Sequence, residues 1–228
     1  MNDPVLTIDG PSGAGKGTVS RVIANQKGWH YLDSGSIYRS LAIAVLDQSV
    51  NLESKAEIVQ LAKNMTLEFS GVEVLAVQLN GVDITARLAT ETTGSIASQI
   101  AVIPEVRAVL LQKQRDFRRA PGLVADGRDM GTVVFSEANY KVFLTASAEK
   151  RALRRYKQLI EKGFNANLAQ ITQDIESRDL RDSQRAIAPL ALAEGALYVD
   201  STDKTAEQVI AVILSFMLRV YQADHKCT

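Results

Sequence analysis

The sequence is short of several residue types that would point to particular classes of protein. It has one cysteine, Cys227, so no internal disulfide can form and an oxidising compartment is not implied. Basic and acidic residues both number 26, which lacks the basic excess of a dedicated nucleic-acid-binding protein. Residues 1–4 do not resemble a signal peptide, and no apolar run reaches the length of a membrane span. We therefore expect a cytoplasmic protein with neither nucleic acid nor membrane as a partner. A monomer is the separate expectation for its oligomeric state, which these features do not determine.

Strand-like and helix-like segments alternate along most of the chain. Short apolar runs predict buried strands at residues 5–9, 29–32, 123–125, 140–145 and 197–199. Apolar residues at helical spacing predict the intervening helices at about 16–26, after 34, 104–119, 148–162, around 168–175, and at the C-terminal end. This alternation is typical of an α/β fold with a doubly wound parallel sheet.

The region from about residue 51 to residue 90 departs from this pattern. After a helical stretch, three β-like runs at 66–69, 73–79 and 82–85 are joined by tight turns. Asn80-Gly81 is a strong signal for a hairpin. These runs predict a small antiparallel sheet in an inserted lobe, separate from the parallel core.

The strongest functional signal is a glycine-rich segment between the first predicted strand and the first predicted helix. It is Gly10-Pro11-Ser12-Gly13-Ala14-Gly15-Lys16-Gly17-Thr18. Glycines let backbone N–H groups close on phosphate oxygens, and a helix N-terminus adds unpaired donors. Lys16 can reach the β- and γ-phosphates, and the Thr18 hydroxyl can bind Mg²⁺. The guanine-selecting Asn/Thr-Lys-x-Asp element is absent from the sequence, so ATP with Mg²⁺ is the expected cofactor.

Charged residues also follow two of the predicted core strands, 29–32 and 123–125, at the edge of the sheet where ligands bind. In the segment 33–39, Arg39 could clamp a phosphate and Tyr38 offers an aromatic face or a hydroxyl. In the segment 126–131, Asp126 could hold the water shell of Mg²⁺ and Arg128 is a second candidate clamp. A capped helix and a polar turn are the alternative interpretations of these two segments.

Two further groups of arginines lie in predicted helices. The first group, three arginines and one acid, would share one helical face through spacings of three, four and seven residues, and crowded arginines repel one another unless an anion is present. It comprises Arg178, Arg181, Asp182 and Arg185. A solvated ladder of ion pairs is the alternative interpretation of this group. The second group fits either a mobile lid over phosphates or an ordinary exposed helix. It comprises Arg151, Arg154 and Arg155.

Taken in order, four segments of the chain resemble the bacterial cytidylate kinase family over essentially the whole length. They are residues 8–18, 33–39, 126–131 and 178–189. The resemblance implies transfer of the γ-phosphoryl of ATP to CMP or dCMP. It also implies a single kinase domain over 1–228, with a P-loop core, a monophosphate-binding lobe and a helical lid. The core is expected at about 1–33, 105–150 and 185–228, the lobe at about 34–104 and the lid at about 151–184.

The resemblance also assigns roles to individual residues. The catalytic set is Lys16, Arg128, Arg178 and Arg185. ATP is expected to contact residues 10–18 together with Arg151 and Arg155, and Thr18 is the expected metal ligand. The acceptor nucleotide is expected to contact Ser34, Tyr38, Arg39, Ser98, Arg107, Asp126, Gly127, Arg128, Asp129, Arg178, Asp182 and Arg185. Within that set, the arginines at 39, 128, 178 and 185 are expected to clamp phosphate, and the acid at 182 is expected to bind the sugar.

Cytosine recognition is the finest of these expectations. The residues implied are Ser98, Arg107 and Asp129. A carboxylate suits the N4 amino group of cytosine and a guanidinium suits the N3 and O2 acceptors, whereas uracil reverses the pattern at positions 3 and 4. The sequence departs from the family at Ala89, where an arginine is usual, and Arg87 lies two residues earlier.

Two other functions are compatible with the phosphate-binding segment alone. A different small-molecule P-loop kinase, such as one for shikimate, would have a smaller acceptor lobe and no base-recognising acid. A nucleotide-binding switch without transfer activity would lack the convergent arginines.

Overall fold

The computed structural model describes residues 3–70, 76–161, 163 and 165–224 of this protein. The strands within these residues are β1 (Val5–Asp9), β2 (His30–Asp33), β3 (Leu67–Ser70), β4 (Ala76–Leu79), β5 (Val82–Asp83), β6 (Leu123–Gly127), β7 (Tyr140–Thr145) and β8 (Leu197–Asp200). The α-helices are α1 (Lys16–Lys27), α2 (Ser34–Asp47), α3 (Lys55–Asn64), α4 (Glu91–Ile100), α5 (Pro104–Arg115), α6 (Ala148–Glu161), α7 (Leu168–Ser183) and α8 (Ala206–Asp224).

Five of the strands form one parallel sheet in the order β2-β6-β1-β7-β8. Both faces of this sheet are covered, which is why its strands are nearly continuous apolar runs. On one face, Val5, Leu32 and Leu123 pack with α2 and α5. On the other face, side chains of β1, β6 and β7 pack with α1 and α8. The predicted doubly wound α/β fold is confirmed.

The three remaining strands form the separate antiparallel sheet β3-β4-β5. Asn80 and Gly81 both have positive φ, 50° and 80°, as the tight turn between β4 and β5 requires. The Asn80 Oδ1 also accepts a hydrogen bond of 2.8 Å from the Thr66 backbone N–H. The predicted antiparallel insert is therefore confirmed, although the first part of its second run, residues 73–75, lies outside the described residues.

Helix α4 was not anticipated, because its sequence is rich in threonine, serine and glycine, which are weak helix formers. Tertiary packing overrides this propensity, since Ala97 and Ile100 are buried. The Thr90 hydroxyl also caps the helix by accepting from the Thr93 backbone N–H at 3.3 Å. The missing periodicity thus reflects a helix that is stable only in its packed setting.

Two helix ends also differ from expectation. The helix predicted to reach residue 119 ends at Arg115, because the Phe117 N–H turns back to the carbonyl of Gln114 at 3.2 Å. The helix α7 ends at Ser183, so Arg185 lies beyond it and does not share a helical face with Arg178. The predicted end of the helix that begins at 148, residue 162, lies outside the described residues.

Helix α8 contains an 18-residue window, Ala206–Ala223, that is long and apolar enough to span a membrane, with a mean hydropathy of 1.2. By this measure the expectation that no segment reaches such a length is wrong. Val209, Ile213 and Met217 of this helix are buried in the core cluster that covers one face of the sheet. The helices α4 and α5 pass the same test only as a pair, and that pair bends by 106°.

Substitution of Gly10 should strongly destabilise the fold. A Cβ at Gly10, whose φ is +150°, would lie 1.9 Å from the carbonyl oxygen of Leu144 in β7. Since backbone cannot move away as a flexible side chain can, we expect Gly10→Ala to lower the free energy of unfolding by about 3 kcal/mol or more. Urea denaturation of the ligand-free protein measures this value.

Gly28→Ala is the matched control for that measurement. Gly28 also has positive φ, +63°, but a Cβ there would meet no heavy atom within 4 Å. The left-handed backbone conformation should then be the one source of destabilisation, and it should lower the free energy of unfolding by about 1 kcal/mol. Equal losses in the two variants would contradict the proposed clash with β7.

Candidate active site

A cleft of about 780 Å³ opens at the carboxyl ends of β1, β2 and β6. This edge is where ligands bind in open parallel sheets. The cleft is lined by the segment 12–18, by residues of α2 and α4 from the inserted region, and by residues of α6 and α7. Most of the residues that the sequence singled out therefore meet in one cavity, although they come from six separate stretches of the chain.

The glycine-rich segment forms the phosphate-binding loop that its position predicted. Gly15 adopts a left-handed conformation, φ 93°, immediately before α1 begins at Lys16. Lys16 is buried, and its Nζ donates to the carbonyl of Pro11 at 2.8 Å. Residues 12–18 line the cleft, whereas Gly10 and Pro11 do not. The loop thus directs the backbone donors at the start of α1 toward the cavity.

Acidic side chains surround the Lys16 ammonium. Burial lowers the pKa of Lys16, Arg128 lowers it further, and Asp126 opposes this shift. Burial raises the pKa of Asp126, with Asp33 adding to the effect. The Tyr31 hydroxyl donates to Asp126 Oδ2 at 2.7 Å. A bound polyphosphate would favour the charged form of Lys16, because the anion replaces the solvation that burial removes.

The oxygen atoms beside the phosphate-binding loop suit Mg²⁺ better than a metal that is bound by protein side chains alone. Within the described residues, no group of three or more His, Cys, Asp or Glu side chains gathers to bind a metal. Mg²⁺ typically keeps several waters and takes one or two protein oxygens plus substrate phosphates. The Thr18 hydroxyl and the Asp126 carboxylate are such oxygens beside the phosphate-binding loop. These two residues would hold the ion.

Arginines dominate another part of the cleft. Those that line it are Arg21, Arg39, Arg107, Arg128, Arg154, Arg155, Arg178 and Arg185. Arg39 stands out, because no ion pair or hydrogen bond of its guanidinium occurs among the parts of the chain that the structure describes. Burial lowers its pKa and Arg178 lowers it further, while Asp33 opposes them. A half-buried guanidinium that faces other cations favours an anion in the cleft.

Asp182 holds two of the predicted clamp residues. The Arg128 Nε donates to Asp182 Oδ2 at 2.7 Å, and Arg185 pairs with Oδ1 of the same carboxylate. Burial alone would raise the pKa of Asp182, but Arg128 and Arg185 together hold it below its usual value. Although Arg185 lies past the end of α7, the structure still brings it to the cleft beside Arg128.

The three residues expected to recognise cytosine also line the cleft. Arg107 and Asp129 form a buried ion pair. The Arg107 guanidinium lies 5.9 Å from the centre of the Tyr38 ring, and the buried Tyr38 hydroxyl has no hydrogen-bond partner within the described residues. Burial raises the pKa of Tyr38 to about 12, so this hydroxyl stays protonated. Ser98 Oγ accepts from Arg181 Nε at 3.1 Å.

The arginines of the second predicted group have three different environments. Arg151 does not line the cleft: its guanidinium donates to the carbonyls of Ala146 (2.9 Å) and Ser12 (3.0 Å) and pairs with Asp179 (2.6 Å). This side chain supports the phosphate-binding loop from behind, a geometry that does not favour its predicted contact with ATP. Arg154 donates to the side-chain and backbone oxygens of Ser201. Of these three arginines, only Arg155 reaches across to the inserted lobe.

Glu91 is a site residue that sequence reasoning missed. Its two carboxylate oxygens accept from Arg155 Nε at 2.7 Å and from Arg178 Nη2 at 2.8 Å. Arg155 also donates to the carbonyl of Ala89 at 2.6 Å, so the position without the family arginine is contacted by a guanidinium from α6. The isolated glutamate in a helix that lacked helical periodicity gave no signal for this role.

Comparison with known proteins agrees with this geometry. A family model described as cytidylate kinase matches residues 6–219. Proteins named cytidylate kinase from Methylococcus capsulatus and Aeromonas salmonicida are 55% and 54% identical, each over 93% of this chain and over 96% and 93% of their own lengths. A gluconokinase structure from Sinorhizobium meliloti has a TM-score of 0.50 at 12% identity, covering 99% of this chain and 97% of that one, which indicates a shared fold alone. The chain belongs to the cytidylate kinase family.

Proposed function

We propose that this protein transfers the γ-phosphoryl group of ATP to CMP or dCMP and releases CDP or dCDP with ADP. Family membership supports the reaction. The observation that carries the proposal is that one cleft is lined both by the phosphate-binding loop and by the buried pair of Arg107 and Asp129. The loop suits the phosphates of the nucleotide that donates the phosphoryl group. The ion pair suits a base that offers both a hydrogen-bond donor and hydrogen-bond acceptors.

The donor phosphates bind at the N-terminus of α1. Backbone N–H groups of residues 12–18 would surround the phosphate oxygens, and the Lys16 ammonium would move from the Pro11 carbonyl to them. When bound, Mg²⁺ supplies further positive charge to the donor phosphates, and Thr18 and Asp126 would hold it. These groups stabilise the negative charge that spreads over the moving phosphoryl group.

The acceptor phosphate binds among the arginines of the cleft. The candidates for this clamp are Arg39, Arg128, Arg178 and Arg185. An oxygen of the acceptor phosphate attacks the γ-phosphorus while the bond from that phosphorus to the β–γ bridging oxygen breaks, and ADP leaves. No side chain needs to act as a nucleophile, because positioning and electrostatics account for catalysis in this reaction class.

The base is recognised at Asp129 and Arg107. The Asp129 carboxylate would accept from the N4 amino group of cytosine, and the guanidinium of Arg107 would donate to the ring acceptors. Since these two residues already bind each other, substrate binding would add contacts to an ordered pair rather than order two free side chains.

An assay with ATP, Mg²⁺ and each of CMP, dCMP, UMP, AMP and shikimate tests the proposal. We expect turnover with CMP and dCMP and much less with the others. Preference for shikimate would indicate a different small-molecule kinase, and absence of turnover with every acceptor would indicate a nucleotide-binding switch.

Asp129→Asn should weaken discrimination between CMP and UMP. The carboxamide offers an N–H toward the N4 amino group, whereas uracil has an acceptor at that position. We expect the ratio of kcat/KM for CMP to that for UMP to fall about 10- to 100-fold, the size of one unpaired buried group. Steady-state kinetics with both acceptors measure the ratio, and Asp116→Asn, at an exposed position just after α5, is the control. An unchanged ratio would remove Asp129 from base recognition.

We also propose that the protein acts as a cytoplasmic monomer and that residues 34–104 and 151–184 move as a lobe and a lid. Glu91 already joins these two regions through Arg155 and Arg178. Sedimentation of the protein with and without nucleotides tests the monomer, and a dimer would contradict it.

A further inference from the structure

Asp9, the last residue of β1, is a buried acid that the mechanism above does not use. Its side chain is almost fully enclosed, at 3% exposure. The Oδ1 atom accepts from the backbone N–H of Met130 at 2.8 Å, and Oδ2 accepts from that of Gly131 at 2.7 Å. Both carboxylate oxygens are therefore committed to one short segment, which begins immediately after Asp129.

That segment is a five-residue π-helical turn, Met130–Val134. The N–H groups of Val133 and Val134 both donate to the carbonyl of Asp129, at 2.9 and 3.1 Å. The first N–H groups of such a turn have no partner within it, and a carboxylate at that end satisfies them and complements their partial positive charge. Asp9 thus caps this turn from a neighbouring strand.

The packing around this contact leaves little room for movement. A Cβ on Gly131 would lie 2.8 Å from Thr7 Oγ1 and 3.3 Å from Asp9 Oδ2. A Cβ on Gly127 would lie 2.9 Å from the side chain of Met130. The turn therefore lies directly against β1 at Gly131, and Met130 packs closely against the end of β6 at Gly127.

Asp9 also precedes Gly10 at the start of the phosphate-binding loop. It is joined to that loop by the chain and to the turn after Asp129 by two hydrogen bonds. A buried carboxylate is costly unless its partners offset the loss of water, and two well-aligned N–H donors on one segment do so only while that segment keeps its place.

We propose that Asp9 is a positioning residue that fixes Arg128 and Asp129 relative to the phosphate-binding loop. This inference rests on the proposed function, because it concerns how donor and acceptor sites are held in register. An apolar residue could fill the same space, but it could not orient two backbone N–H groups. Displacements of about 1 Å at reacting groups are enough to cost about 100-fold in rate.

The charge state of Asp9 supports this role. Burial raises its pKa to about 6, while the N–H groups of Gly131 and Met130 oppose the rise. Among charged groups, Asp129 raises the pKa and Lys16 lowers it. Asp9 is thus ionised at neutral pH, with both oxygens available as acceptors.

The test is the variant Asp9→Asn, which keeps the shape but places an NH₂ group against one backbone N–H. We expect KM for CMP to rise about 10- to 100-fold and the preference for CMP over UMP to fall. The dissociation constant for ATP, measured without acceptor, should change by less than about threefold. Thr7→Val is the control, because Thr7 packs beside Gly131 but makes only a 3.5 Å contact to the Tyr140 carbonyl.

Gly131→Ala provides a second variant that displaces the turn from the other side, and it should give the same acceptor-selective loss. Equal losses for ATP and CMP, a change in KM for CMP of less than threefold, or failure of both variants to fold would overturn the positioning role. Failure of the proposed function is distinguishable from these outcomes, because the unsubstituted protein would then show no turnover with CMP.

Discussion

Lys16→Ala is expected to lower kcat about 10³-fold. The ammonium is the cation placed at the start of α1 within the phosphate-binding loop, and its role is to follow the charge of the transferring phosphoryl group. The free energy of unfolding should change little, since burial of the ammonium is itself unfavourable, as the lowered pKa of Lys16 indicates. Single-turnover kinetics and urea denaturation measure the two quantities.

The matched control is Lys27→Ala at the exposed end of the same helix. It removes an identical charge from α1 and should leave kcat within a factor of two. Near-normal turnover in Lys16→Ala would refute the catalytic role of this residue. A large fall in the free energy of unfolding with little change in kcat would indicate that Lys16 serves the stability of the fold instead.

Arg128→Ala is expected to raise KM for CMP at least tenfold and to lower kcat about 100-fold, with a change of less than about threefold in the dissociation constant for ATP. Arg128 lies in the turn after β6, and in the ligand-free structure its Nε donates to Asp182. Loss of this guanidinium removes one bidentate partner of the acceptor phosphate and leaves Asp182 with Arg185 alone. Initial-rate kinetics with each nucleotide varied in turn separate the two effects.

Two variants control this experiment. Arg128→Lys keeps the charge but loses the fork of donors, and it should recover only part of the activity. Arg119→Ala removes an exposed arginine from the segment that leads to β6 and should behave as the unsubstituted protein does. Equal weakening of ATP and CMP in Arg128→Ala would count against a clamp on the acceptor.

The phosphate-binding loop could be located from sequence because every part of its signal is local. The apolar strand, the glycines, Lys16 and the start of the helix are consecutive in the chain, so no distant contact had to be known. The same holds for the Asn80-Gly81 turn, whose backbone conformation depends on two adjacent residues.

The roles of arginines on one helix could not be separated in this way. Arg151, Arg154 and Arg155 lie within five residues, yet the first supports the loop, the second binds near β8 and the third reaches the inserted lobe. Which partner each guanidinium finds depends on how α6 packs, and spacing along the chain does not contain that information.

Asp9 and Glu91 escaped sequence reasoning for the same physical reason. The partners of Asp9 lie 121 and 122 residues away, and those of Glu91 lie 64 and 87 residues away. The signal for Asp9 was its place between a buried strand and the loop, where an acid without a nearby partner is unusual. Glu91 offered no comparable signal.

The arginines of the cleft are only partly neutralised by carboxylates. Carboxylates of Glu91, Asp129 and Asp182 each form ion pairs with one or two arginines, whereas Arg39 has Asp33 nearby as an opposing charge but forms no ion pair among the described residues. A phosphate that binds in this cleft would add to the negative charge of the carboxylates and neutralise the remaining arginines. Arg39 is the arginine that such a phosphate would stabilise most.

The central claim is that one cleft aligns two nucleotides through the loop at residues 12–18 and the arginines opposite it. A crystal structure with CMP and a non-hydrolysable ATP analogue tests this claim most directly. We predict that the CMP phosphate lies within hydrogen-bonding distance of Arg39 and Arg128, that the cytosine contacts Asp129, and that the terminal phosphate of the analogue contacts Lys16. A CMP molecule bound elsewhere, with these arginines still facing solvent or carboxylates, would contradict the account.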